Sequence, residues 1–169
     1  MSTQDSTSKI IPEHIVEAAY TEIGGLSDDQ ANLHMQRLGR SQPALLAFVT
    51  ANSEELRQDA GEFAIYLFVV VVQMFEMQFG KRLQNVGMKR IESIHKENEN
   101  MREHLSDAPE RLFERFANVQ TQKQPLVWKY VVESVLEPDD PDLQLSEEDV
   151  GSLAIIMKTV IDALDSSVR

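Results

Sequence analysis

Phe63-Ala64-Ile65-Tyr66-Leu67-Phe68-Val69-Val70-Val71-Val72 is the longest apolar run in the chain, and the fold turns on whether it is a strand, a membrane span or a core helix. A bilayer span needs about 20 apolar residues. This run is half as long and soon meets Gln73 and Glu76, so it belongs in a core. Its valines suit a strand, but the surrounding pattern is helical. Leu56, Ala60, Phe63, Leu67, Val70, Met74 and Met77 alternate between spacings of four and three. Ala64, Phe68, Val71, Phe75 and Phe79 make a second stripe beside them. The pattern predicts a helix from about Ser53, its N-cap, with Glu54 and Glu55 in the first turn, to Phe79. Gly80, Lys81 and Arg82 then form a suitable stop. A helix apolar on two faces has to be surrounded, so it is expected at the centre of the fold with Leu67 and Val71 buried.

The flanking segments supply helices to surround it. Pro12 opens one that carries Ile15, Val16, Ala19 and Ile23 and stops at Gly24-Gly25. Ser27 and Gln30 resemble a capping box for a short helix through Leu38 to Gly39. Ser41 and Pro43 start a third, with Leu45, Leu46, Phe48 and Val49. Met88 to Leu105 reads as a polar helix, and Asp107 with Glu110 caps another that turns Leu112, Phe113 and Phe116 inward. Pro125 opens a helix ending before Pro138. Ser146 with Asp149 opens the last, in which Val150, Leu153, Met157, Val160 and Leu164 recur at helical spacing. No alternating strand or hairpin dipeptide appears. The expectation is all-α: about eight helices in one domain, 10–169, around the long central helix, after a disordered tail, 1–9. No internal repeat of convincing period is legible.

At 169 residues, such a domain can bury about 70% of the surface its unfolded chain exposes, so it needs neither disulfides nor a structural metal. With no cysteine, thiol nucleophiles and thiolate metal sites are excluded. The polar start, Met1 to Lys9, lacks the apolar core of a secretion signal, and the expected location is the cytoplasm. A net charge of −12 argues against nucleic acid as a partner, because binding a phosphate backbone needs clustered Lys and Arg. No membrane partner is expected either.

Charge is unevenly spread. Glu133, Glu137, Asp139, Asp140, Asp142, Glu147, Glu148 and Asp149 follow one another without a single basic residue between 133 and 149. Residues 81–102 have the opposite bias, with Lys81, Arg82, Lys89, Arg90, Lys96 and Arg102 against Glu92, Glu97 and Glu99.

Signals for chemistry are sparse. Glu92 and His95 stand at i, i+3 with Glu99 one turn on, the spacing by which bundle helices share a di-metal site. That site requires a second Glu-x-x-His and further carboxylates from facing helices, and the chain has no second such motif. Asp140, Asp142 and Gln144 begin like a calcium loop. The match fails where Leu145 replaces the turn glycine and Gly151 replaces the bidentate glutamate. Phosphate loops, nucleophile elbows and His-Glu-x-x-His are absent.

The helix after the central one has a seam of its own. Ile91, Asn98 and Leu105 take a positions and Ile94 and Met101 take d positions, and a single Asn at a fixes register in a two-stranded coil. The seam could dock on the central helix or pair with a second copy. The expectation is a non-enzymatic regulatory or adaptor module acting through protein–protein contacts, a homodimer among them, with no cofactor. Its candidate contact residues are Ile91, Ile94, Asn98, Met101, Asp139, Asp140 and Asp142. One alternative is a bundle that binds a metal ion or a small apolar ligand, lined by Met74, Phe75, Met77 and Phe79. The other is an acidic mimic that occupies a basic partner surface.

Overall fold

A computed structural model describes residues 9–104 and 123–169. Among them are seven α-helices and no β-strand: α1 Glu13–Gly24, α2 Asp28–Ser41, α3 Pro43–Ser53, α4 Gln58–Phe79, α5 Met88–His104, α6 Pro125–Leu136 and α7 Glu147–Ser166. The predicted tail up to residue 8 lies outside the described residues. So do Leu105 and the helix predicted from Asp107, with Leu112, Phe113 and Phe116.

α4 is the predicted central helix. Ala60, Ala64, Leu67, Phe68, Val70, Val71, Met74 and Phe75 are all fully buried, because α1, α3 and α7 cover its apolar faces. Its length and composition would suit a bilayer, but in this fold protein surrounds it. At its end Gly80 adopts φ 52°, a left-handed conformation that favours glycine. The start differs from expectation. Ser53 closes α3 instead of capping α4, whose N-cap is Arg57, and Leu56 falls in the turn between them. The corner is tight: a Cβ on Gly61 would stand 2.7 Å from the Ser53 carbonyl oxygen, so only glycine lets the end of α3 lie against α4.

The capping box predicted at Ser27 forms, and Ser146 with Asp149, predicted to open the last helix, makes another. Ser27 accepts from the Gln30 N–H and Ser146 from the Asp149 N–H, and the side chain of each of these third helical residues accepts the cap's own N–H. The seam of α5 docks within the chain, but on α7 instead of the central helix, because α7 presents an apolar face as long as its own. Ile91 is buried, and Asn98 donates to Thr159 Oγ1 at 3.0 Å. Beside them Lys158, only 1% exposed, donates to Asp162. Burial pushes the Asp162 carboxyl above its usual range, although Lys158 and Asn98 oppose the shift.

The packing repeats itself, contrary to the sequence expectation. α1 and α3 pack on α4 as α5 and α6 pack on α7, and α4 meets α7 between the two sets. Exchanging the sets leaves this pattern unchanged. The link is confirmed by two buried glutamines with matching backbones, Gln42 (φ −136°, ψ 61°) before Pro43 and Gln124 (φ −135°, ψ 66°) before Pro125. The Gln42 amide donates to the Gln84 carbonyl and accepts from the Val86 N–H, holding the chain two residues ahead of α5. The Gln124 amide donates to the Lys9 carbonyl and accepts from the Ile11 N–H, two residues ahead of α1. Each half thus clamps the other half's leading helix, the reciprocity of an isologous contact. The sequence carries traces of this. Asp59-x-Gly61-x-x-Ala64-Ile65 recurs as Asp149-x-Gly151-x-x-Ala154-Ile155, and Leu26-Ser27-Asp28 as Leu105-Ser106-Asp107.

Candidate functional site

The repeat places two clefts at corresponding positions, each walled by the leading helix of one half, the short helix of the other half and the start of a long helix. The larger, about 880 Å³, lies between α1, α4, α6 and the 137–143 loop. That loop exists because Pro138 disfavours helical geometry in the residue before it, and α6 accordingly ends with Glu137 at φ −133°, ψ 72°. The Asp140 carboxylate then accepts the Asp142 N–H at 2.9 Å, turning the chain back and leaving Asp139, Asp140 and Asp142 exposed along the rim.

The wall of this cleft is aromatic. Tyr20 of α1 and Tyr130 of α6 stack with ring centroids 5.6 Å apart and planes 6° from parallel. Tyr66 of α4 completes the lining, and Tyr20 and Tyr66 each remain 40% exposed. Burial pushes the Tyr130 phenol far up, helped by Tyr66 and Asp139 and opposed by a hydrogen bond with Ser134. Burial, then the nearby Asp139 charge, also raises Tyr66. Both phenols therefore stay protonated at neutral pH, which suits them to hydrogen bonding and ring contact and not to acting as bases.

Carboxylates surround the rings, and the described residues offer them little positive charge. Asp59 lies 3.8 Å from Arg57 and Glu133 lies 3.9 Å from Lys129, in exposed pairs of the kind that contribute little. Among the described residues no cation pairs with Glu62, Glu137, Asp139, Asp140 or Asp142.

The corresponding cleft on the other side is smaller, about 400 Å³. His95 stands where Tyr20 does and meets Phe48 edge-on with centroids 4.9 Å apart, whereas Tyr20 stacks parallel to Tyr130. Asp149 and Ile156 take the places of Asp59 and Tyr66. Here the chain supplies its own guanidinium groups. Arg57 pairs with Asp149 at 3.4 Å and donates to the Gln144 carbonyl. Arg102 lies so close over Gly151 that a Cβ there would be 2.7 Å from Nη2, and its Nη1 is 3.5 Å from Ser152 Oγ.

Glu92 is exposed, and His95 Nε2 lies 3.3 Å from Glu99, so His95 has a carboxylate and an aromatic neighbour. No group of three or more His, Asp or Glu converges on a metal-sized site among the described residues. Ile91 and Asn98 are buried against α7, and Ile94 and Met101 are partly buried on the same core. Met74, Phe75 and Phe79 are buried, whereas Met77 is exposed. Glu76 emerges beside Arg37 at 2.7 Å. Sequence reasoning found the acidic rim but missed the tyrosines, which come from three separate helices. Comparison with family models, curated proteins and solved structures found no match.

Proposed function

We propose that the protein is a non-enzymatic helical interaction module that docks a basic region of a protein partner in the tyrosine-lined acidic cleft. The observation that carries this reading is the cleft itself, a concavity of about 880 Å³ whose rim carboxylates Glu137, Asp139, Asp140 and Asp142 pair with no cation among the described residues and whose wall keeps two tyrosine rings exposed. Exposed aromatic area in a concave surface provides the contact anchor, and the rim charges steer an oppositely charged surface toward it. At physiological ionic strength the Debye length is about 8 Å, so neighbouring rim charges add their fields. Regulatory or adaptor action by the protein, in the cytoplasm and through such a partner, belongs to the same proposal.

The test replaces Asp139, Asp140 and Asp142 together with Asn and measures binding of a nine-residue peptide containing both Lys and Arg across a salt series. Weaker binding and a shallower salt slope are expected. An unchanged rate and slope would reduce the loop to a solubility feature.

A further inference from the structure

The two clefts occupy matching positions, and one of them shows what the other lacks. In the smaller cleft, arginine side chains from the chain itself fill the space beside Asp149 and His95. The larger cleft keeps the equivalent carboxylate, Asp59, which the same Arg57 approaches only at 3.8 Å, and a larger ring, Tyr20, in place of His95, and there is no arginine among its described lining residues. It is also roughly twice as large, so an incoming side chain has room.

We infer, building on the interaction reading above, that the larger cleft takes an arginine from a basic segment of a partner protein, its guanidinium lying over the Tyr20 ring within reach of Glu137 and Asp139. Three physical points favour arginine over lysine. A guanidinium is planar and stacks on an aromatic face, which an ammonium cannot do. It is less strongly hydrated, so it enters a partly apolar cleft at lower cost. Its fork can also engage two carboxylate oxygens at once. The Tyr20–Tyr130 stack fixes the plane of the receiving ring, so the platform is ordered before the partner arrives. The acidic rim would attract either cation, whereas the ring discriminates between them.

The experiment uses the full chain and two labelled nine-residue peptides with the same number and spacing of cationic residues, one with arginine throughout and one with lysine. Fluorescence anisotropy at physiological salt should give the arginine peptide an advantage of about two- to fivefold. Tyr20→Leu should remove that advantage while leaving salt-dependent binding of both peptides, and Tyr20→Phe, which keeps the ring, should preserve it. Tyr20 is partly exposed, so both variants are expected to fold, and far-UV circular dichroism checks that they do. Equal binding of the two peptides to the parent protein, or an arginine preference that survives Tyr20→Leu, would overturn the guanidinium seat but leave the basic-partner reading standing. Absence of binding by either peptide would overturn both. Salt-sensitive self-association of the parent at micromolar concentration that is lost in Tyr20→Leu would assign the cleft to a second copy and likewise overturn the inference.

Discussion

Leu67 illustrates the energetics of the core at the scale of one residue. It is fully buried near the middle of α4, so Leu67→Ala removes buried methyl groups and leaves a cavity. Chemical denaturation should show a loss of about 2–5 kcal/mol. His34 gives a pH signature. Burial lowers its pKa below 6.5, and the Arg37 guanidinium, 3.3 Å from Nδ1, lowers it further against the pull of Glu76 and Glu22. A histidine that binds its proton less readily when folded contributes stability that is complete above pH 6.5 and is lost as pH falls through the lower folded value. The denaturation midpoint should therefore decline as pH drops below 6.5, and His34→Gln should flatten that part of the profile.

Between elements, each of the paired glutamines ties a Pro-initiated helix to the backbone leading into a helix of the other half. Gln42 and Gln124 are 2% and 1% exposed, and each satisfies two backbone groups. Replacing either with Ala strands a buried donor and acceptor, at a cost of about 1–3 kcal/mol for each group left unpaired. Hydrogen exchange distinguishes the two variants. Gln42→Ala should raise exchange at Val86 and in the first turn of α5, and Gln124→Ala should raise it at Ile11 and in the first turn of α1. The α5–α7 contact is similar in character: the Asn98 bond to Thr159 fixes register where an apolar stripe would tolerate sliding by a turn.

For the whole molecule, reciprocal packing means that neither half covers its own apolar surface. α4 and α7 bury faces against each other, and α6 touches both α4 and α1. Unfolding should accordingly be a single transition. Trp128 reports on α6, so its fluorescence and the far-UV circular dichroism should give coincident denaturation curves. Leu67→Ala, in the other half, should shift both by the same amount. A Trp128 transition that stays in place while the helical signal moves would show that the halves unfold separately.

The sequence by itself determined the all-α class, the central helix, the caps at Ser27 and Ser146 and most helix ends, because each is written in neighbouring residues by periodicity, a cap, a proline or a glycine. Ser53 was misplaced because a serine followed by two glutamates has the composition of a helix start, and only the contact of its carbonyl with Gly61 shows that a helix ends there. The repeat was hidden for a related reason. The turn between α3 and α4 is short and that between α6 and α7 is long, so the matching residues keep no constant spacing along the chain. The acidic half of the candidate site was legible because its charges are consecutive. Its aromatic half was decided by tertiary structure alone: Tyr20, Tyr66 and Tyr130 lie far apart in sequence, and none breaks the pattern of its own helix. Packing three helices against one another brings their rings to one wall, and long-range geometry of that kind is not encoded by local spacing.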